Sequence, residues 1–218
     1  MSQRVRFSST VGEVTGVLEL PAAERAPGVV VLQEWWGINE QIQSIAKRWA
    51  EQGFVVVVPD LFHGKLAANA DEAAALMKAL DVPSAVKEIA GAVSYLKSHP
   101  RCTGKIAVTG YCMGGALTFA SAVAISGLSA VVPFYGLPGE VDVTRIDAPI
   151  QAHFAKHDDW ATVAGATKIK EAVKVPMELH VYDAQHAFCN DKRPEVYNAE
   201  SAATAWARAV AFVQTHTR

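Results

Sequence analysis

The chain has 218 residues, half of them hydrophobic and 19% charged, with a formal net charge of −2. That size and balance suit a single packed α/β domain burying roughly 70% of its unfolded surface, and they exclude a disordered chain. The small net charge, the absence of a Lys/Arg run and the lack of any apolar stretch of membrane-spanning length predict neither a nucleic-acid nor a membrane partner.

Residues 4–8 and 13–20 alternate in polarity, which predicts an antiparallel hairpin turning at Val11-Gly12 and ending at Pro21. Ala26–Leu32 reads as a buried strand running into Gln33-Glu34-Trp35-Trp36-Gly37-Ile38-Asn39. Asn39 is the expected N-cap of a helix over 40–52 that buries Ile42, Ile45, Ala46 and Trp49, and Gly53 ends it. Phe54–Val58 is the next buried strand, followed by a loop over 61–70 that carries His63, Gly64 and Lys65. Helices are expected over 71–80 and 84–98, then a strand over 105–109 and an Ala-rich helix over 116–124. Beyond it come strands at 129–134, 150–155 and 177–182, a polar loop at 137–149, and helices at 161–173 and 198–215. The final helix is expected to turn Ala203, Trp206, Val210 and Val213 inward. Strands alternating with helices predict a mainly parallel sheet covered on both faces. With no repeat, low-complexity tract or linker, residues 1–218 form one domain.

Gly110-Tyr111-Cys112-Met113-Gly114 lies between the strand over 105–109 and the helix that follows. A strand that becomes a helix within one residue strains the backbone at its corner, and flanking glycines remove the Cβ atoms that would collide there. The pattern is a nucleophile elbow, Gly-x-Nuc-x-Gly, with cysteine in place of the usual serine. It points the Cys112 sulfur at a helix N-terminus, whose partial positive charge and free N–H groups favour a thiolate and supply an oxyanion donor. The competing reading is a buried apolar cysteine in a Gly-rich turn.

In parallel sheets of this kind the ligand site lies beyond the carboxyl ends of the strands. The chain delivers there Glu34 with Trp35 and Trp36, then Asp60 to Lys65, Cys112, Tyr135, Lys156-His157-Asp158-Asp159, and Asp183 to His186. A thiol nucleophile needs a histidine as base, and the histidine needs a carboxylate to fix its tautomer. The order nucleophile, acid, histidine along the chain is that of α/β-hydrolases, with His186 as base and Asp158 or Asp159 as acid. Spacing does not separate the two aspartates, since neighbours on a strand end point opposite ways. His153, in mid-strand, is expected to be a packed core imidazole. His153, His157 and the two aspartates mix a strand with a loop and do not form a metal-binding face, so no metal or cofactor is expected. Glu34 has three readings: a carboxylate that keeps the thiol protonated until substrate arrives, a general acid, or an ion-pair partner. Trp35 and Trp36 either touch substrate or cover the edge of the core.

Gly110-Tyr-Cys-Met-Gly-Gly115, with Glu34-Trp-Trp-Gly-Ile-Asn39 and His186-Ala-Phe188, resembles the dienelactone hydrolase family of α/β-hydrolases over nearly the whole chain. The resemblance implies an α/β-hydrolase fold and a Cys112–His186–Asp158 triad that opens an enol lactone or related ester through a thioester. It also implies a resting pair between Glu34 and the thiol, and oxyanion donors at the N–H groups of Trp35 and Met113. Trp36, Tyr135, Phe188, Asn190 and Lys65 are the expected substrate contacts. Two family arginines that grip a substrate carboxylate are replaced by Ala70 and Asn190, and Lys65, Lys192 or Arg193 match neither position directly. The sequence therefore predicts an ester or lactone hydrolase, with a broad carboxylesterase or thioesterase, or a non-catalytic thiol module, as alternatives. Three cysteines that cannot all pair and an N-terminus without an apolar signal core predict a cytoplasmic protein. A monomer or small homo-oligomer is expected.

Overall fold

The computed structural model describes residues 2–218. It holds one eight-stranded sheet in the order β1-β2-β4-β3-β5-β6-β7-β8. The strands are β1 (Gln3–Ser9), β2 (Gly12–Glu19), β3 (Ala26–Leu32), β4 (Val55–Pro59), β5 (Cys102–Tyr111), β6 (Ala130–Phe134), β7 (Ile150–His157) and β8 (Met177–Gln185). β1 and β2 form the antiparallel hairpin, β2 pairs antiparallel with β4, and every later pairing is parallel. The central strands are runs of β-branched and small apolar residues, with Val29–Leu32 and Val55–Val58 fully buried, as a sheet covered on both faces requires.

The helices are α1 (Glu40–Glu51), α2 (Ala70–Ala79), α3 (Val82–Ser98), α4 (Met113–Ala124), α5 (Val163–Ala172) and α6 (Ala199–His216). The expected cap is present: the Asn39 side chain accepts from the Ile42 N–H at 3.1 Å, and α1 buries Ile42, Ile45, Ala46 and Trp49. Two expectations need correction. α4 starts at Met113 rather than at Ala116, because the elbow turns directly from strand to helix and its glycines are helical. On α6 the buried stripe is Ala205, Ala209, Val210, Phe212 and Val213, and Ala203 is exposed. The stripe shifts because Trp206 leans sideways onto Trp49 of α1, with ring centroids 4.9 Å apart, and the Arg48 guanidinium covers its ring at 4.0 Å.

Four rings stack across the carboxyl half of the sheet. Tyr111, Phe134, His153 and His180 are register partners on β5, β6, β7 and β8, with centroids 4.6, 4.4 and 5.5 Å apart and planes within 27°. His153 is fully buried, bonded through Nδ1 to the Tyr182 hydroxyl at 2.8 Å and through Nε2 to Gln151 Oε1 at 3.1 Å. Burial first, then the charges of His180 and Arg208, hold its pKa well below the ordinary value, so it is a neutral core imidazole.

α4 is seated on its neighbours with no room to spare. A Cβ on Gly114 would lie 2.4 Å from the Leu32 carbonyl oxygen, and one on Gly115 would lie 2.3 Å from that of Phe134. Both obstacles are strand backbone, which cannot yield. Gly114→Ala is therefore expected to cost about 3 kcal/mol and lower the Tm by roughly 6–12 °C. Gly139→Ala, where nothing lies within 4 Å, should leave it within about 2 °C. Paired thermal melts check both.

Candidate active site

The elbow places Cys112 at φ 55° and ψ −116°, a region that non-glycine residues enter only under compulsion. Its N–H donates to the Phe134 carbonyl at 3.1 Å, tying the corner to β6. Met113 is the first helical residue, so its N–H has no partner within α4. The Trp35 N–H, in the turn after β3, likewise makes no backbone hydrogen bond among the described residues. These are the two donors assigned to an oxyanion.

At the ends of β7 and β8 the ambiguity between the aspartates resolves. Asp158 Oδ2 lies 2.6 Å from His186 Nδ1, while Oδ1 accepts from the Trp160 and Ala161 N–H groups, each at 2.9 Å. Its side chain is wholly buried, whereas Asp159 is exposed. Burial alone raises the Asp158 carboxyl, but the bond to His186 and the Ala161 and Trp160 amides outweigh it, and its pKa falls below the ordinary range. For His186, burial opposes the charge, yet hydrogen bonding and charge at Asp158 and Cys112 push the imidazole up to about 10. Among the described residues its Nε2 makes no hydrogen bond of ordinary geometry.

Glu34 is 1% exposed. Its Oε2 accepts from Asn190 Nδ2 at 2.7 Å and its Oε1 from the Tyr135 hydroxyl at 3.3 Å. Burial pushes its pKa up against the pull of Asn190, the His186 charge, Tyr135 and Arg193. Among the described residues neither oxygen bonds Cys112, so the resting pair implied by the resemblance is not formed here; the carboxylate is turned toward Asn190 and Tyr135.

A cavity of about 410 Å³ opens over these groups. Glu34, Trp35, Cys112, Asp158 and His186 reach it together, and Ala70, Trp160, Arg193 and Val196 complete much of its wall. The other expected substrate contacts lie elsewhere. Tyr135 and Asn190 are buried beneath the cavity as donors to Glu34, and Phe188 packs behind them on Tyr135 and Tyr182. Trp36 backs Trp35 edge-on at 5.2 Å, with the Arg193 guanidinium 6.0 Å from its ring. Lys65 belongs to a separate cleft with Arg4 and Asp60, and Lys192 pairs with Glu40 at 3.1 Å. Of the three cations weighed as carboxylate grips, Arg193 alone lines the cavity, with its Nε committed to Glu195 at 2.8 Å. Trp160 and Val196 gave no sequence signal beyond their nearness to Asp158 and His186.

Comparison with known proteins agrees with this architecture. The profile of the dienelactone hydrolase family matches residues 14–217. The chain is 34% identical to protein usf of Aquifex pyrophilus, over 99% of both chains. It is 31% identical to carboxymethylenebutenolidase 1 of Cupriavidus pinatubonensis, over 96% of this chain and 94% of that one. Among solved structures, a dienelactone hydrolase-like promiscuous phosphotriesterase from metagenomic libraries superposes with a TM-score of 0.89 at 21% identity, covering 100% and 99% of the two chains. The dienelactone hydrolase of Anabaena variabilis gives 0.77 at 19% identity with the same coverage. At such identities these two speak for the fold, and the sequence matches speak for the family. A strand-to-helix elbow at the centre of an eight-stranded α/β sheet, with this profile along almost its full length, places the chain in the dienelactone hydrolase family, as a carboxylic ester hydrolase of the α/β-hydrolase fold.

Proposed function

We propose that the chain hydrolyses an ester or lactone by nucleophilic catalysis at Cys112, with His186 as proton shuttle and Asp158 as its orienting acid. The observation that carries this reading is the 2.6 Å bond between Asp158 and His186, beside a thiol on a strained elbow. His186, with its raised proton affinity, holds the proton that the Cys112 sulfur gives up, and the sulfur attacks the acyl carbon. The oxygen that becomes negative is received by the N–H groups of Met113 and Trp35, fixed by α4 and by the turn after β3. The bond from acyl carbon to leaving oxygen breaks, and the imidazolium gives that oxygen its proton. Water then attacks the thioester while His186 accepts its proton. The carbon–sulfur bond breaks, the acid leaves and the thiol is restored.

Glu34, buried beside this chemistry and held by two donors, is read as a carboxyl whose raised pKa limits the negative charge facing the thiol. Family membership favours this enzymatic reading over a non-catalytic thiol module, and a cavity walled by two indoles suits lactones and aryl or enol esters.

Cys112→Ala is expected to lose turnover of p-nitrophenyl acetate by at least a thousandfold. Wild-type enzyme quenched in acid during turnover should carry one acetyl group on Cys112 by peptide mass, and acetylation elsewhere would refute the assignment. Asp158→Asn should lower kcat by about three to four orders of magnitude, because an amide holds the imidazole in the wrong tautomer. Asp159→Asn should stay within about threefold; equal losses would overturn the choice of acid.

The pair also sets a pH dependence of stability. His186 has a folded pKa raised to about 10, so its contribution is complete below its ordinary value of 6.5 and is lost as pH rises toward 10. Asp158 has a lowered pKa, so its contribution is present above 3.8 and is lost as pH falls below that. The Tm difference between wild type and Asp158→Asn should therefore be largest near pH 5–6.5 and shrink by several degrees toward pH 10. A difference that holds constant from pH 6 to 10 would show that the pair does not titrate as described.

A further inference from the structure

We propose that Trp160 is the platform for the leaving group, a flat face that favours an aryl group on the leaving oxygen over a short alkyl one. This rests on the Cys112 reading above and adds a residue and a substrate preference to it. Trp160 is a large apolar side chain that is 66% exposed, at the rim of the cavity over Cys112. An indole left open to water while touching a catalytic void marks a surface shaped for a ligand rather than for the core.

Its place in the site follows from the chemistry. The leaving oxygen must come within hydrogen-bond reach of His186 Nε2 to receive its proton, so whatever that oxygen carries lies against the neighbours of His186. The Trp160 ring is one of them, 6.1 Å from the imidazole centroid and tilted 35° to its plane. On its other side it meets the Trp35 ring at 5.8 Å and 81°. Trp35 carries the N–H assigned to the oxyanion. The two indoles thus form an L-shaped corner, with the Trp160 arm standing by the proton donor. A flat group on the leaving oxygen fits the corner face to face with Trp160, and a methyl or short alkyl group leaves it unfilled.

The backbone fixes this wall. The Trp160 N–H donates to Asp158 Oδ1 at 2.9 Å, and so does that of Ala161, so the carboxylate that orients His186 also sets the turn that presents the indole. Because the side chain is mostly exposed, its removal leaves those main-chain bonds available and the fold intact.

The test compares two esters with one acyl group, phenyl acetate and methyl acetate, in wild type, Trp160→Ala and Trp160→Phe. Both form the same acetyl-enzyme, so kcat/KM reports the step in which the leaving group departs. Trp160→Ala is expected to lower kcat/KM for phenyl acetate about five- to tenfold, with methyl acetate within twofold and Trp160→Phe restoring most of the loss. Phenol, the released product, should inhibit wild type competitively, and its inhibition constant should weaken by a similar factor in Trp160→Ala. An equal loss on both esters with unchanged phenol inhibition would mean that Trp160 acts only by holding the Asp158 turn. That result, or no loss at all, overturns the platform and leaves the Cys112 reading standing. A wild type that forms no acetyl-enzyme at Cys112 would bring down both.

Discussion

The close seating of α4 against the edges of β3 and β6 is the constraint on which the site depends. With a Cβ on Gly114 or Gly115 the helix would stand off from the Leu32 and Phe134 carbonyls, and Cys112 would swing away from the end of β8. The strain at Cys112, φ 55°, is sustained because the surrounding sheet and helix leave the corner no alternative. Strain of this kind costs of order 1–3 kcal/mol, a small part of what a core of this size supplies, and in return the sulfur stands clear of the sheet beside His186.

Around that corner, three buried ionisable groups each have hydrogen-bond partners. Asp158 has its imidazole and two amides, Glu34 its amide and phenol, and His153 its phenol and amide. Each arrangement offsets the desolvation that would otherwise displace the group. The proposed division of labour follows chain order: Asp158 comes just after β7, His186 just after β8, and the segment beyond it supplies Asn190, which donates to Glu34.

What could be read from the sequence was whatever depends on local spacing. The elbow was legible because glycines two before and two after Cys112, between a β-branched run and an Ala-rich run, have a single steric purpose. The order Cys112, Asp158, His186 was legible because parallel topology sends each strand end to the same side. The choice between Asp158 and Asp159 was not, since it turns on which carboxylate faces the next strand and is met by two turn amides. Tyr135, Phe188 and Asn190 were expected to be substrate contacts, each lying shortly after the end of a strand. Position at a strand end does not say whether a side chain faces the void or the packing, and these three face the packing. Trp160, Arg193 and Val196 come from connecting segments whose course only the folded chain defines.

The stack of Tyr111, Phe134, His153 and His180 bears on how accurately the reacting groups are aligned. Cys112 and Tyr135 directly follow the first two rings, and Asp158 and His186 lie five and six residues beyond the last two. A strand sliding past its neighbour by one residue would turn its ring to the opposite face of the sheet. A slide of two would carry the ring about 6.6 Å along, out of the stack. Catalytic geometry tolerates only about 0.5 Å of error. The rings therefore act as detents, making misalignment a discrete event with a steep penalty, so that four separate strand ends meet in one fixed phase or not at all.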